Sequence, residues 1–167
     1  MSLSEQYIDI EDLHPIDIVE TLATHHEWDF DRITDDQIAM VIVGQWRNYS
    51  ITLAWSPHDK TLRMICTFDM APEAEALPRL YEILNLTNDH CWTGAFTFWP
   101  SQKLMVYRYG LVLAGEQLAT PDQIARIVEM AVGTAERYYP AFQLTCWGKR
   151  PPKDAMEIAI AECFGRA

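Results

Sequence analysis

Between residues 72 and 113 the apolar side chains change period, and that change limits the fold more than any other feature of the chain. Leu77, Leu80, Tyr81 and Leu84 stand at i, i+3, i+4 and i+7, which draws one apolar stripe along a helix. Pro78 allows two versions of it. The helix starts near Pro72 and kinks, or it starts late enough for Pro78 to sit in the first turn, where a missing N–H costs least. After Asn88 the period drops to two, and β-branched and aromatic residues take over. Residues 95–99 and 104–113 read as strands joined across Pro100-Ser101-Gln102-Lys103 as a hairpin. A helix that feeds a hairpin calls for a sheet with an apolar face on which the helix can lie.

The flanking sequence supplies the rest of that sheet. Ile16, Val19, Leu22 and Ala23 mark a first helix, opened by Pro15 and closed by His25 and His26, where a cation meets the negative end of the dipole. Residues 28–33 alternate as a short strand. Ile38, Met40 and Ile42 face one way and Ala39, Val41 and Val43 the other, so the next strand is expected to be covered on both faces. Tyr49, Ile51, Leu53 and Trp55 alternate, as do Leu62, Met64, Cys66 and Phe68, which completes an antiparallel meander.

Beyond the hairpin, Thr120-Pro121-Asp122-Gln123 opens a helix with a reciprocal cap. Its stripe is Ile124, Ile127, Val128, Ala131, Val132 and Ala135. Pro140 is expected to kink or break it after Tyr138-Tyr139, and residues 141–147 fit a helix or an extended segment equally well. A last helix begins near Asp154, with Met156, Ala159, Ile160, Cys163 and Phe164 on one side. The order predicts an α+β fold: a meander of three to four strands plus a hairpin, packed against helices. Residues 1–11 read as a loosely held tail and 12–167 as one domain. At 167 residues such a domain buries roughly 70% of the unfolded chain's surface and needs no disulfide or metal staple.

Little in the sequence points to bond-making chemistry. His25, His26 and Asp29 are close in sequence, but adjacent histidines diverge around a helix, and H-E-x-x-H is absent. His90-Cys91 is the only adjacent His–Cys pair, and sequence neighbours seldom align for proton transfer. There is no G-x-S-x-G elbow and no phosphate-cradling glycine loop. Asp35-Asp36 and Glu73/Glu75 suit turns and helix starts. No catalytic residue, metal or cofactor is therefore assigned.

A net charge of −11 opposes nucleic acid and anionic lipid, both of which need clustered Lys and Arg. Cys66, Cys91, Cys146 and Cys163 form no C-x-x-C pair and read as reduced thiols. With no apolar run near 18 residues, a cytoplasmic, non-membrane protein is expected. Six tryptophans are many for this length. They fill the core and sheet, or they form an aromatic patch for a dimer or a bound peptide.

Three segments carry a resemblance: HPIDIVETLATHHEWDFDR at 14–32, GQWRNYSITLAWS at 44–56 and LYEILNLTNDHCWTGAFTFWP at 80–100. With them the chain resembles the YbjN family of bacterial sensory transduction regulators. The closing block RYYPAFQLTCWGKRPPKDAMEIAIAECFGRA is similar to the ending found in its alphaproteobacterial branch. The resemblance implies a fold like the type III secretion chaperones, which are acidic cytosolic homodimers that bind extended segments of other proteins.

The expected function is thus a non-enzymatic regulator or chaperone-like binding module acting as a homodimer. Trp46, Trp55, Leu77, Tyr81, Trp92, Trp99 and Trp147 are the candidate interface. An unidentified protein partner would dock on an edge strand or beside the helix at 72–86. The alternative is a small-molecule sensor, which predicts a pocket of several hundred Å³ between sheet and helices; an enzyme comes third.

Overall fold

The computed structural model describes residues 14–115 and 117–164, with side chains as far as Ala161. Helix α1 (Pro15–His25) leads into four strands, β1 (Asp29–Thr34), β2 (Gln37–Val43), β3 (Asn48–Ser56) and β4 (Thr61–Asp69). A 3-10 turn at Ala74–Ala76 precedes α2 (Leu77–Asp89). The hairpin β5 (Ala95–Trp99) and β6 (Leu104–Val112) follows, then α3 (Pro121–Cys146) and α4 (Pro152–Phe164). All six strands form one antiparallel sheet in the order β1-β2-β3-β4-β6-β5. The hairpin therefore joins the meander through β6 and leaves β5 at the edge. This is an α+β fold with helices on one face of the sheet.

The inner face follows from the alternation. One row runs Phe30, Met40, Ile51, Cys66, Tyr107 and Phe96 across all six strands. Its members from Met40 to Phe96 are buried. Over this face α1 packs on β2 and β3, α2 packs on β5, and α3 packs against α1, α2 and α4. Arg32 fastens β1 to α1 by donating to Glu20 Oε2 at 2.9 Å and Asp17 Oδ1 at 3.0 Å. At the start of α1 the His14 ring accepts from the Ile16 N–H and meets Asp36 Oδ1 at 2.7 Å, so a histidine serves as the cap. The capping box on α3 forms as its sequence predicts, with Thr120 Oγ1 accepting from Gln123 N at 3.1 Å and Gln123 Oε1 from Thr120 N at 2.9 Å.

Three expectations need correction. Helix α3 is not broken at Pro140 but continues to Cys146, so of the two readings left open for residues 141–147 the helical one holds, with Trp147 as the C-cap. Proline in a helix interior costs about 3 kcal/mol. Tyr138, Tyr139 and Phe142 lie on the buried face on either side of it, and each buried side chain of this size returns about 1.5–3 kcal/mol. Packing outweighs the lost hydrogen bond. On α2, Pro78 does occupy the first turn, but the buried residues are Leu80, Ile83, Leu84 and Thr87. Tyr81 is half exposed, so the stripe lies rotated from the one drawn through Leu77 and Tyr81. Strand β2 is covered on one face only: Val41 and Val43 are 42% and 77% exposed.

On α4, Met156 and Ala159 are buried as expected. The expected places of Cys163 and Phe164 on that apolar side, and the 1–11 tail, lie outside the described residues and side chains.

The β2–β3 turn is pinned to α3 by a contact that explains one glycine. The Glu136 carboxylate accepts from Trp46 N at 3.2 Å and lies over Gly44, where a Cβ would also meet Tyr49 Cε2 at 2.5 Å and Arg47 O at 2.8 Å. Gly44→Ala is expected to lower the unfolding free energy by about 1–3 kcal/mol through overcrowding. Gly133→Ala, on α3 with open space around it, should instead raise it by about 0.5–1 kcal/mol. Urea denaturation of the two variants measures both; equal effects would contradict the packing at Gly44.

Candidate functional site

Among the described residues no helix lies on the outer face of the sheet, and alternation decides what it presents. One row runs Asp31, Ala39, Thr52, Ile65, Arg108, Ala95. The next runs Asp29, Val41, Ser50, Thr67, Val106, Thr97. On the other side of the first lie Gln37, Ala54, Arg63 and Gly110. Along β3 this face is small and weakly polar (Ser50, Thr52, Ala54), β4 adds Arg63 and Ile65, and Val106 on β6 is fully buried although it lies on this face. Its charges are divided. Asp29 and Asp31 sit on the β1 edge, and Arg63 and Arg108 on β4 and β6.

Those charges differ in how they are occupied. Arg63 donates to Asp59 Oδ2 at 2.6 Å, and this bond holds the Asp59 carboxyl down to about 2. Asp31 and Arg108 are exposed and make no side-chain hydrogen bond or ion pair among the described residues. Two opposite charges stand free on one row, four strands apart.

The aromatic candidates do not form a patch. Trp46 lies in the β2–β3 turn and is 46% exposed, Trp147 caps α3 at 50%, and Trp92 stands in the α2–β5 loop at 95%. Trp55 is half-buried at the far end of β3 from Trp46, and Trp99 is half-buried on the edge strand β5. Leu77 packs partly against the core, while Tyr81 faces outward on α2. No ring–ring contact joins any two of these residues. None of the six tryptophans is buried; the large aromatic rings of the core are Tyr49, Phe68, Phe96, Phe98, Tyr107, Tyr138, Tyr139 and Phe142. Trp28 instead stacks on His26 at 4.6 Å.

The candidates for chemistry are dispersed or deactivated. Among the described residues no three His, Cys, Asp or Glu side chains gather to hold a metal ion. Burial pushes the Cys91 thiol above its ordinary range, with Arg137 opposing, and raises Cys146 to about 11. Burial raises Cys66 to about 12. The Tyr49 phenol is also held up, first by burial and then by Glu136, although its hydroxyl makes no hydrogen bond of sound geometry.

A folded-state pKa above the unfolded one leaves stability untouched below pH 9 and removes it as pH rises towards 12, because only the unfolded Cys66 releases its proton. Between pH 8 and 10.5 the stability of the native sequence should therefore fall by about 2 kcal/mol more than that of Cys66→Ala. Urea midpoints under reducing conditions test it, and parallel pH profiles would contradict it.

Asp31 and Arg108 escaped the sequence reading for a physical reason. The alternation at 28–33 places Asp29 and Asp31 on one side of a strand, and Arg108 alternates against Tyr107 and Tyr109. Their shared row depends on four successive strand registers, which local periodicity does not supply.

The fold is that of a helix-backed antiparallel sheet domain. The chain belongs to the YbjN family: the family model described as "Putative bacterial sensory transduction regulator" matches residues 15–144. In structure it is similar to the crystal structure of YbjN from E. coli, described there as "a putative transcription regulator". The likeness has a TM-score of 0.54 at 13% identity, over 90% of this chain and 93% of that one, and so concerns the fold. No curated protein matches the sequence. Among the described residues no helix is long and apolar enough to cross a membrane.

Proposed function

We propose that this protein is a non-enzymatic cytoplasmic regulator that binds protein, and that it acts as a homodimer joined through the outer face of its sheet. The carrying observation is the row containing Asp31 and Arg108. A two-fold axis lying between two facing sheets, parallel to the strands and over β3, sets β1 of one copy over β6 of its partner. Asp31 then meets the partner copy's Arg108 twice per dimer. Gln37 falls over Arg63 in the same operation, and the small Ser50, Thr52 and Ala54 meet their own copies at the axis. Face-to-face sheets pack about 10 Å apart, within reach of an arginine and a carboxylate that extend towards each other.

The family's regulatory description supports a binding role, and free thiols at Cys66, Cys91 and Cys146 suit a reducing compartment. Edge strand β5 would remain open to an extended segment of a partner protein, in the chaperone-like mode. Sedimentation equilibrium tests the assembly. The expected mass at micromolar concentration is twice the 19.3 kDa of the chain. A single 19.3 kDa species up to 100 micromolar would contradict the proposal.

A further inference from the structure

A second feature lies on the opposite, helix-covered side of the sheet. The first turns of α3 stand clear of β4 and β6 and leave a cavity of about 370 Å³. Met64 and Tyr109, opposite each other in the β4–β6 register, form its floor with Leu111; Ile127 and Met130 form the wall. At its inner end the Tyr107 hydroxyl lies 3.4 Å from Thr93 Oγ1. That end is rigidly built, because a Cβ on Gly94 would come within 2.6 Å of the Tyr107 ring and 2.8 Å of Arg108 O. Exposed Asp122, Gln123 and Arg126 make the mouth.

The polar groups of the mouth are unequal. Asp122 sits in the first turn of α3, where the helix dipole favours a carboxylate. The Gln123 side-chain oxygen is taken by the cap, which leaves its NH₂ group to donate. Arg126 has no ion pair or side-chain hydrogen bond among the described residues. A mostly apolar cavity with the donors of Gln123 and Arg126 beside the Asp122 carboxylate at its entrance, and two adaptable methionines in its lining, has the make-up of a small-molecule site.

We infer that this cavity binds a small amphipathic carboxylate, with its apolar or aromatic body between Met64, Tyr109 and Met130 and its carboxylate on Arg126. The site is independent of the dimer, since it uses the other face of the sheet.

The probes are 4-phenylbutyrate and its neutral counterpart 4-phenylbutan-1-ol, titrated into the full chain carrying ¹³C-methyl methionine. The methyl signals of Met64 and Met130 are expected to shift saturably, while those of Met40 and Met105, buried elsewhere in the core, stay in place. The carboxylate should bind about tenfold more tightly than the alcohol, as one charge-assisted contact supplies. Arg126→Gln, an exposed change that leaves the core intact, should erase that preference and retain the alcohol's affinity. Ile127→Trp should abolish both titrations by filling the cavity, with Met40 and Met105 signals reporting that the core is still folded. Absence of a saturable shift at Met64 and Met130 would overturn the inference, as would a carboxylate preference that survives Arg126→Gln.

Discussion

Phe142→Ala is expected to lower the unfolding free energy by about 3–5 kcal/mol, the cost of emptying a large buried aromatic site. Phe142 is fully buried, and its ring meets Phe96 edge-on at 5.2 Å, so the substitution removes a contact between α3 and the edge strand β5. It lies two residues beyond Pro140, where local sequence rules leave a kinked helix, a break or an extended segment open. Domains of this size hold about 5–15 kcal/mol in total, so the loss should be plain in a urea or thermal unfolding curve. Trp147→Ala is the control. That side chain is half exposed at the helix end, and its loss should stay within about 0.5 kcal/mol. A cost below 1 kcal/mol at Phe142 would mean that the helix beyond Pro140 is not part of the core.

The second large effect concerns association. Reversing one member of the proposed pair, Asp31→Arg or Arg108→Asp, places like charges opposite each other twice in the dimer. Like charges brought together across an interface cost several kcal/mol. Each reversal should therefore weaken association by about two orders of magnitude or more. Both side chains are exposed and unpaired among the described residues, so neither substitution should change the unfolding free energy of the monomer by more than about 0.5 kcal/mol. Sedimentation and denaturation together separate loss of assembly from loss of fold.

Much of the architecture could be read locally, because the inner face of the sheet is strictly alternating. Tyr49, Ile51 and Leu53, and Leu62, Met64, Cys66 and Phe68, all point inward as their spacing requires. The misreadings arose where tertiary packing overruled a local signal. At Pro140 the burial of Tyr138, Tyr139 and Phe142 outweighs a lost backbone bond. On α2, the rule that selected Leu77 and Tyr81 could not tell that Ile83 and Thr87 face the core, since two stripes one step apart both satisfy the period. On β2, Val41 and Val43 are apolar yet remain partly to mostly exposed, a pattern that suits a surface awaiting a second layer. The tryptophans misled in another way. Their number left a filled core or a single patch open, yet none is buried and they are distributed over turns, a helix end and two strands. The candidate face was legible strand by strand, but its pairing of Asp31 with Arg108 needs the whole register of the sheet.

The most direct test mixes the two charge variants. Asp31→Arg alone and Arg108→Asp alone should each sediment as monomers at micromolar concentration. An equimolar mixture should sediment as a one-to-one dimer, because each chain then offers its partner the charge that its own copy lacks. Two monomers that stay apart on mixing, or two variants that each remain dimers alone, would show that the outer side of the sheet is not where one copy meets another.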